Sequence, residues 1–487
     1  MNEQKLISAL SSINLWWKGE EVPKKIKKSE NKRKIFYDLK DTCLKNDKII
    51  SISGPRQVGK TTLMGQLIEN QIADGIDNKR IIYIPVDNEL LILNSDNVLI
   101  DCLDIYFNLF LGETPEHLKS MVYVYLDEIQ SLQNWAKQIK SYADSFEKIK
   151  FIISGSSHTK LYADASESLV GRINFRIILP FKFREFLEYY MPKRSRQCEF
   201  SSVDLRNALN KSIKEKNPNS FYRELTRLKL NISSELPQIK KVLEDYLIKG
   251  GYPGLLVFTE KDYDKALERI KTDLELTVYK DIHKIFNTRN SSELMSLLSL
   301  LSSSSGQKIN YSRLSDSLSI DRRVVSNYIN YTKLVYLVSE SPFYKSNTYK
   351  KIEKMNKVYL LDNGHRNALL GRMDKGLLNE PESGLIIQTV VFNHISRLKF
   401  ILSNYTNTEV CYWEDNLDNE VDIIMDLPIV LLPIEVKSKS GDDGVKAIYK
   451  FMEEHKKSEW GVIITHDELK LEKNILFVPL WALLLMC

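Results

Sequence analysis

Residues 48–53 (KIISIS) run directly into Gly54-Pro55-Arg56-Gln57-Val58-Gly59-Lys60-Thr61-Thr62, and a helical run, 63–72, follows. No other feature of the chain constrains its fold as much. The spacing is GxxxxGK[ST]. Glycines permit a loop whose successive backbone N–H groups face one centre. A helix opening just after such a loop adds further N–H groups and its dipole, which suits a phosphate chain. Lys60 is expected to reach the β- and γ-phosphates of ATP, and Thr61 to ligate Mg2+ through its hydroxyl. A strand, a loop and a helix in that order are built for a parallel sheet.

The rest of the first third agrees. Apolar β-type runs at 48–53, 80–86, 121–126 and 149–153 alternate with helical stretches. The third of them, VYVYL at 122–126, ends in Asp127-Glu128. An acid at a strand end can hold magnesium through water, and the next acid can orient the attacking water. Asp127 is assigned to the metal and Glu128 to the water. The run 150–157 (KFIISGSS) ends in small polar residues, so Ser154 or Ser156 would lie near the γ-phosphate if its strand is parallel to the others.

A chain of 487 residues exceeds one hydrophobic core and implies several domains. A net charge of +5 is mild at this length, so a basic surface has to be argued locally. Five scattered cysteines without metal-ligand spacing point to a reducing cytoplasm rather than a disulfide framework. The N-terminus has no signal-type apolar run. The apolar tail 475–486 is too short for a membrane helix, which needs roughly 20 residues, and reads as a buried strand or helix. Residues 18–34 read as a charged, solvated arm, and 35–45 as a short helix.

From 180 to 287 the apolar spacing is helical, with a polar stretch at 192–220 that reads as an insertion. Gly250-Gly251-Tyr252-Pro253-Gly254 is a turn cluster expected to fix the packing of a helical lid. Segments 293–301, 312–318 and 322–333 are helical, and a β-type run at 335–340 follows, the order of a winged helix. Asp321 can cap the third helix, whose polar side carries Arg322, Arg323, Asn327 and Asn330. Such residues suit phosphates and base edges; the alternative is a packing or protein-interaction module. Lys345, Lys350, Lys351, Lys354 and Lys357 come in and after the wing.

From 356 onward strands return in a second α/β unit. Asp422 opens one strand, and Glu435-x-Lys437 follows in the next, the D…ExK spacing of a PD-(D/E)xK nuclease-like core. Residues two apart in a strand share a face, so Glu435 and Lys437 would point together towards Asp422. Asp422 and Glu435 can hold magnesium, and Lys437 can help activate water.

Taken together, GPRQVGKTT, YVYLDEIQ, IISGSS, SLVGR at 168–172 and LPFKFREFL at 179–187 resemble a group of bacterial and archaeal AAA-type ATPases. These usually carry a C-terminal domain of unknown function, number 4143. Trp16-Trp17, Pro23, Arg33, GGYPG and the C-terminal strands extend the resemblance over almost the whole chain. It implies an arginine that completes catalysis, with Arg172 the candidate, in cis or from a neighbouring subunit; the alternative is a structural salt bridge. It also implies a glutamate in the helix before Asp422, where this chain has Gln388, with Glu382 upstream as a substitute. Cleavage and a degenerate, binding-only domain therefore both stay open.

The expected fold is α/β and multi-domain: a P-loop AAA-type parallel sheet with helices, a helical lid, a winged helix and a C-terminal PD-(D/E)xK-like domain. The expected boundaries are 1–190, 191–288, 289–350 and 351–487. The expected partners are DNA or a protein, with an ATP-dependent homo-oligomer as a further expectation and no membrane.

Overall fold

The computed structural model describes residues 3–45, 49–88, 98–132, 134–156, 169, 171–192, 195–288, 290–345, 354–379, 383–402, 409–417, 419–437 and 443–487. The chain divides into two compact units, Met1–Leu179 and Pro180–Cys487.

The first unit is built on five parallel strands in the order β2-β3-β4-β1-β5. These are β1 Ile49–Ser53, β2 Ile81–Pro85, β3 Val122–Asp127, β4 Ile149–Gly155 and β5 Ile173–Ile177. The first four coincide with the apolar runs and are buried along almost their whole length. The fifth escaped the sequence reading because it is a half-exposed edge strand with Asn174 and Arg176 breaking its apolar pattern. Register pairs Ile52 with Ser154 on one side, and Leu126 with Ile153 and Pro85 with Asp127 further out. All strands run the same way, so the segments after β1, β3 and β4 leave one rim of the sheet together.

Helices α1 Glu3–Ile13, α2 Lys34–Lys45, α3 Lys60–Ala73, α4 Val98–Ile105 and α5 Trp135–Ser145 belong to this unit. The edge strand β2 is covered by the lead-in. Asn14 accepts the Tyr83 N–H at 2.7 Å and donates to the Tyr83 carbonyl at 3.1 Å. Both indoles, Trp16 and Trp17, donate to the Ile81 carbonyl, at 3.0 and 2.8 Å. Side chains thus satisfy the backbone groups that an edge strand leaves unpaired.

Residues 18–34 are not a solvated arm. Val22 and Ile26 are buried, and Lys27 pairs with Glu30 at 2.7 Å and with Glu69 on α3. Gln66 donates to the carbonyls of Ser29 at 2.7 Å and Asn31 at 3.1 Å. The strap lies close on α3: a Cβ at Gly65 would come 3.0 Å from Ile26 Cγ2 and Lys27 N. Two apolar anchors among the lysines decide this, against the charge average.

The second unit opens with helices α6 Phe183–Tyr190, α7 Ser195–Glu215, α8 Asn219–Asn231, α9 Leu236–Lys249 and α10 Tyr263–Glu275. The expected boundary at 190 is shifted, because Phe183, Phe186 and Leu187 pack in the core of this second unit. The polar stretch 192–220 is mostly the helix α7, not an interruption; Leu205, Leu209 and Ile213, four residues apart, form its buried stripe. The glycine cluster is tightly packed. Phe181 N–H donates to the Gly251 carbonyl at 2.7 Å, and a Cβ at Gly251 would stand 2.2 Å from the Phe181 carbonyl oxygen. Asp362 receives the Gly251 and Gly364 N–H groups at 2.7 and 2.8 Å.

Three helices come next, α11 Ser291–Ser303, α12 Tyr311–Leu318 and α13 Arg322–Leu334. An antiparallel pair, β6 Val338–Ser341 and β7 Lys357–Leu360, closes this module, with Lys308 bridged to Lys357. After α14 Asn363–Leu369 and α15 Ser383–Leu402 comes a six-stranded mixed sheet, order β12-β13-β11-β10-β9-β8. Its strands are β8 Val410–Glu414, β9 Glu420–Asp426, β10 Leu431–Val436, β11 Gly461–Thr465, β12 Lys470–Glu472 and β13 Ile475–Pro479. Helix α16 Asp443–Glu454 packs on it, and the apolar tail forms β13 and then the fully buried α17 Leu480–Met486. No described helix is long and apolar enough to cross a membrane. Cys102 and Cys487 are buried free thiols, and Cys411 is buried.

Candidate functional site

The loop between β1 and α3 has the backbone its glycines permit. Gly54, Gln57 and Gly59 have φ of 155°, 62° and 101°. A Cβ at Gly54 would stand 2.0 Å from the Ile178 carbonyl oxygen, so this turn needs glycine for space as well. Around Gly59 nothing lies within 4 Å of a Cβ. Gly59 caps α3 without a side chain, which leaves first-turn N–H groups available to an anion. The Lys60 ammonium is buried in the loop and donates to the carbonyls of Gly54 at 3.0 Å and Pro55 at 3.1 Å.

Asp127, at the end of β3, is the hub of the rim. Its Oδ2 accepts the hydroxyls of Thr61 and Tyr83, both at 2.7 Å. Its Oδ1 accepts the hydroxyl of Ser154, and Ser154 Oγ in turn accepts the Glu128 N–H at 3.2 Å. Tyr83 has no counterpart in the sequence reading. Burial first, and the Asp127 carboxylate next, hold its phenol well above its ordinary range, so it stays a donor. Its one signal is a tyrosine in β2, whose last residue pairs with Asp127.

Glu128 sits in the left-handed region, φ 55°, which turns its side chain off the line of the strand. Burial raises its carboxyl, opposed by the Lys60 ammonium. Gln130 donates to Glu128 Oε2 and, at 3.0 Å, to Ser156 Oγ. Of the two serines, Ser154 touches Asp127 directly, and Ser156 reaches Glu128 only through Gln130. Gln130 ends the run YVYLDEIQ, which assigns it no role.

The donor set fits a nucleotide with magnesium. The loop offers an ammonium and a glycine-lined backbone, and one carboxylate and one hydroxyl oxygen converge beside it. Arg172 is not brought to this rim. Its carbonyl accepts the Ile49 N–H at 2.7 Å, at the start of β1, and its guanidinium pairs with Asp144 at 2.7 Å. The loop begins at the other end of β1, about 16 Å away at 3.3 Å per residue. Within one chain this arginine is a surface ion pair, because β5 carries it to the opposite end of the sheet.

In the second unit Asp422, Glu435 and Lys437 do come together. The Asp422 N–H donates to Glu435 Oε2 at 3.2 Å, and Lys437 Nζ lies 3.5 Å from Glu435 Oε1. Burial, then the Asp422 carboxylate, raise the Glu435 carboxyl. Gln388, on α15, donates to Asp422 Oδ1, and Glu382 lies outside the described residues. Two expected wing lysines face carboxylates instead of solvent: Lys354 pairs with Glu414 at 3.1 Å, and Lys357 with Glu420 at 2.5 Å and Asp422 at 3.2 Å. Lys350 and Lys351 lie outside the described residues. Among the described residues no group of three or more His, Cys, Asp or Glu is arranged to hold a metal ion.

On α13, Arg322, Arg323, Ser326, Asn327 and Asn330 are exposed, and Asp321 caps the helix by accepting the Arg323 N–H at 2.7 Å.

Comparison with known proteins divides the chain in three. A family described as an AAA domain matches residues 46–187. Two domains of unknown function match further on, number 8612 over 240–376 and number 4143 over 383–483. Two uncharacterized proteins of Methanocaldococcus jannaschii are 28% and 25% identical over 466 residues, 94% and 92% of this chain and 90% of each relative. An uncharacterized protein of Haemophilus influenzae is 24% identical over 364 residues, 74% of this chain and 77% of the relative. Among solved structures, a Walker-type ATPase of Pyrococcus abyssi covers 70% of this chain and 95% of its own, at 15% identity and TM-score 0.38. The ORC2 protein of Aeropyrum pernix, solved in ADPNP–ADP complexes, covers 74% and 94%, at 15% identity and TM-score 0.35.

Proposed function

We propose that this chain, which carries an AAA domain at 46–187 and the domain of unknown function 4143 near its end, binds and hydrolyses ATP. The observation that carries the reading is the Thr61 hydroxyl 2.7 Å from the Asp127 carboxylate, beside a glycine loop that wraps the Lys60 ammonium. Residues 54–62 cradle the phosphates. Lys60 exchanges its own-loop carbonyls for phosphate oxygens. Thr61 and Asp127 would hold magnesium, which neutralises phosphate charge when bound. Glu128 orients the attacking water, and Ser154 holds Asp127 while contacting the Glu128 backbone. Arg172 reaches the phosphates only from a neighbouring copy.

ATP turnover then governs how the second unit meets a cytoplasmic target, and DNA is the target we favour. The module of α11–α13 and β6–β7 has the element order of a winged helix, and α13 presents two arginines and two asparagines to solvent. The second reading, a non-cleaving switch that binds a protein, is favoured by Gln388 and Lys357 on Asp422.

The test is phosphate release by the full chain with Mg2+ and ATP, beside Lys60→Ala and Glu128→Gln proteins. We expect Lys60→Ala to lose nucleotide binding, and Glu128→Gln to keep it while turnover falls at least a hundredfold. Turnover equal in all three would refute the assignment.

A further inference from the structure

Lys357 belongs to no D…ExK pattern, yet it sits in the middle of one. It opens β7, in the hairpin of the three-helix module, and is 2% exposed. Its ammonium lies 2.5 Å from Glu420 and 3.2 Å from Asp422 Oδ1. Gln388 donates to the same Asp422 oxygen, and the Val436 N–H donates to Asp422 Oδ2 at 3.2 Å. Glu435 is likewise taken, on Oε2 by the Asp422 N–H at 3.2 Å and on Oε1 by Lys437 at 3.5 Å. Each carboxylate oxygen of the pair therefore faces a hydrogen-bearing nitrogen.

The charge balance points the same way. Lys308 pairs with Glu414 and, at 3.2 Å, with Glu420, and Lys354 pairs with Glu414 at 3.1 Å. Lysines 308, 354, 357 and 437 thus stand against carboxylates 414, 420, 422 and 435, with no net negative charge left over. A divalent ion takes oxygen lone pairs and anionic charge. Here an N–H group faces each of the four oxygens, and ammonium groups balance the charge. Neighbouring carboxylates stay charged beside a cation, and the fold supplies one from its own side chains, the Lys357 ammonium.

We propose that Lys357 replaces the metal ion: the Asp422–Glu435 pocket is a lysine-filled pseudo-metal centre that binds no divalent cation while Lys357 is in place. Its task is to fasten the hairpin of the three-helix module to the C-terminal sheet. The chain around it is already joined there. The Tyr412 N–H donates to the Pro342 carbonyl at 3.0 Å, the Tyr344 N–H to the Tyr412 carbonyl at 2.6 Å, and Ser341 Oγ to the Val410 carbonyl at 3.1 Å. Breaking the fastening leaves a buried charge unpaired on one side or the other, which is the costly way to disrupt such a pair.

The experiment uses the full chain carrying Lys60→Ala, without nucleotide, so that the ATP reading does not enter. Free Mn2+ is followed by its paramagnetic resonance signal during titration. The parent and the same protein with Asp422→Asn should bind Mn2+ alike. Adding Lys357→Met to the parent should create one Mn2+ site, more than tenfold tighter than anything in the parent, that Asp422→Asn abolishes. Mn2+ should also raise the melting temperature of the Lys357→Met protein and leave the parent unchanged. An Asp422-dependent Mn2+ site in the parent would overturn the proposal. So would a folded Lys357→Met protein that gains no site. Should that variant not fold, the comparison of the parent with Asp422→Asn decides alone.

Discussion

The Thr61 hydroxyl and the Asp127 carboxylate meet at 2.7 Å although 66 residues separate them in the chain. One residue follows a loop and the other ends a strand, and the parallel sheet is what brings the two to a single rim. The contact joins the glycine-loop half of the site to its acidic half.

Asp127 accepts on both oxygens, from Thr61 and Tyr83 on one and from Ser154 on the other, so Asp127→Asn keeps its shape but removes its charge and one acceptor. Phosphate release should fall at least a hundredfold, a loss of about 3 kcal/mol or more in transition-state stabilisation. Single-turnover and steady-state phosphate assays read this directly, and a fall of less than fivefold would displace Asp127 from the metal role.

Arg172 pairs with Asp144 at the far end of the sheet, half-exposed to solvent. An exposed pair of this kind contributes about 0–1 kcal/mol. Arg172→Ala should therefore leave turnover within twofold at dilutions where the protein is monomeric. A large loss confined to concentrations at which it associates would make Arg172 a residue supplied in trans.

The buried histidines of the second unit should cost it stability between pH 7 and pH 5. Burial holds His365 and His394 down at about 3, and His394 is engaged on both ring nitrogens, by the Val390 carbonyl at 2.8 Å and the Phe183 N–H at 3.1 Å. Below the ordinary histidine value of 6.5 the unfolded chain takes up protons that the folded one refuses, so stability drops as pH falls. Asp362 works in the other direction: burial pushes its carboxyl up to about 6, so the folded chain binds a proton before the unfolded chain does. Glu435, whose carboxyl burial and the Asp422 carboxylate raise, acts in the same direction as Asp362, so the histidine contribution is read by difference: about 2 kcal/mol of the loss between pH 7 and pH 5 should vanish with each histidine removed. Urea unfolding of the parent and of the His394→Gln protein at pH 7 and pH 5 measures it, and an equal pH dependence in the two would contradict the assignment.

If α13 meets DNA through Arg322 and Arg323, the logarithm of affinity should fall linearly with the logarithm of salt concentration. Each arginine replaced by alanine should weaken binding several-fold and flatten that slope by about 1. Fluorescence anisotropy with a labelled duplex, over a salt series, gives both numbers. A slope near zero in the wild-type protein would move the module to the packing role.

What the sequence determined by itself was local. Nine consecutive residues, 54–62, carry the phosphate loop because its geometry depends on glycine backbone freedom and a following helix, both short-range properties. Asp127, Glu128 and Ser154 could be named because each ends an apolar run, and parallel strands end at one rim. Asp422, Glu435 and Lys437 were legible because they lie on neighbouring strands with a two-residue period.

Tertiary structure decided the rest. Tyr83 reaches the site from a position with no motif of its own, and Gln130 from the end of one that gives it no role. Arg172 has the motif but is carried to the wrong end of the sheet by β5, an edge strand whose polar residues hide its period. Lys357 enters the C-terminal pocket from 65 residues upstream of Asp422. A spacing pattern counts residues along adjacent strands, and it has no term for a buried ammonium that another element of the fold delivers. The energy of such a charge is set by which carboxylates surround it, and only the packed chain brings them there.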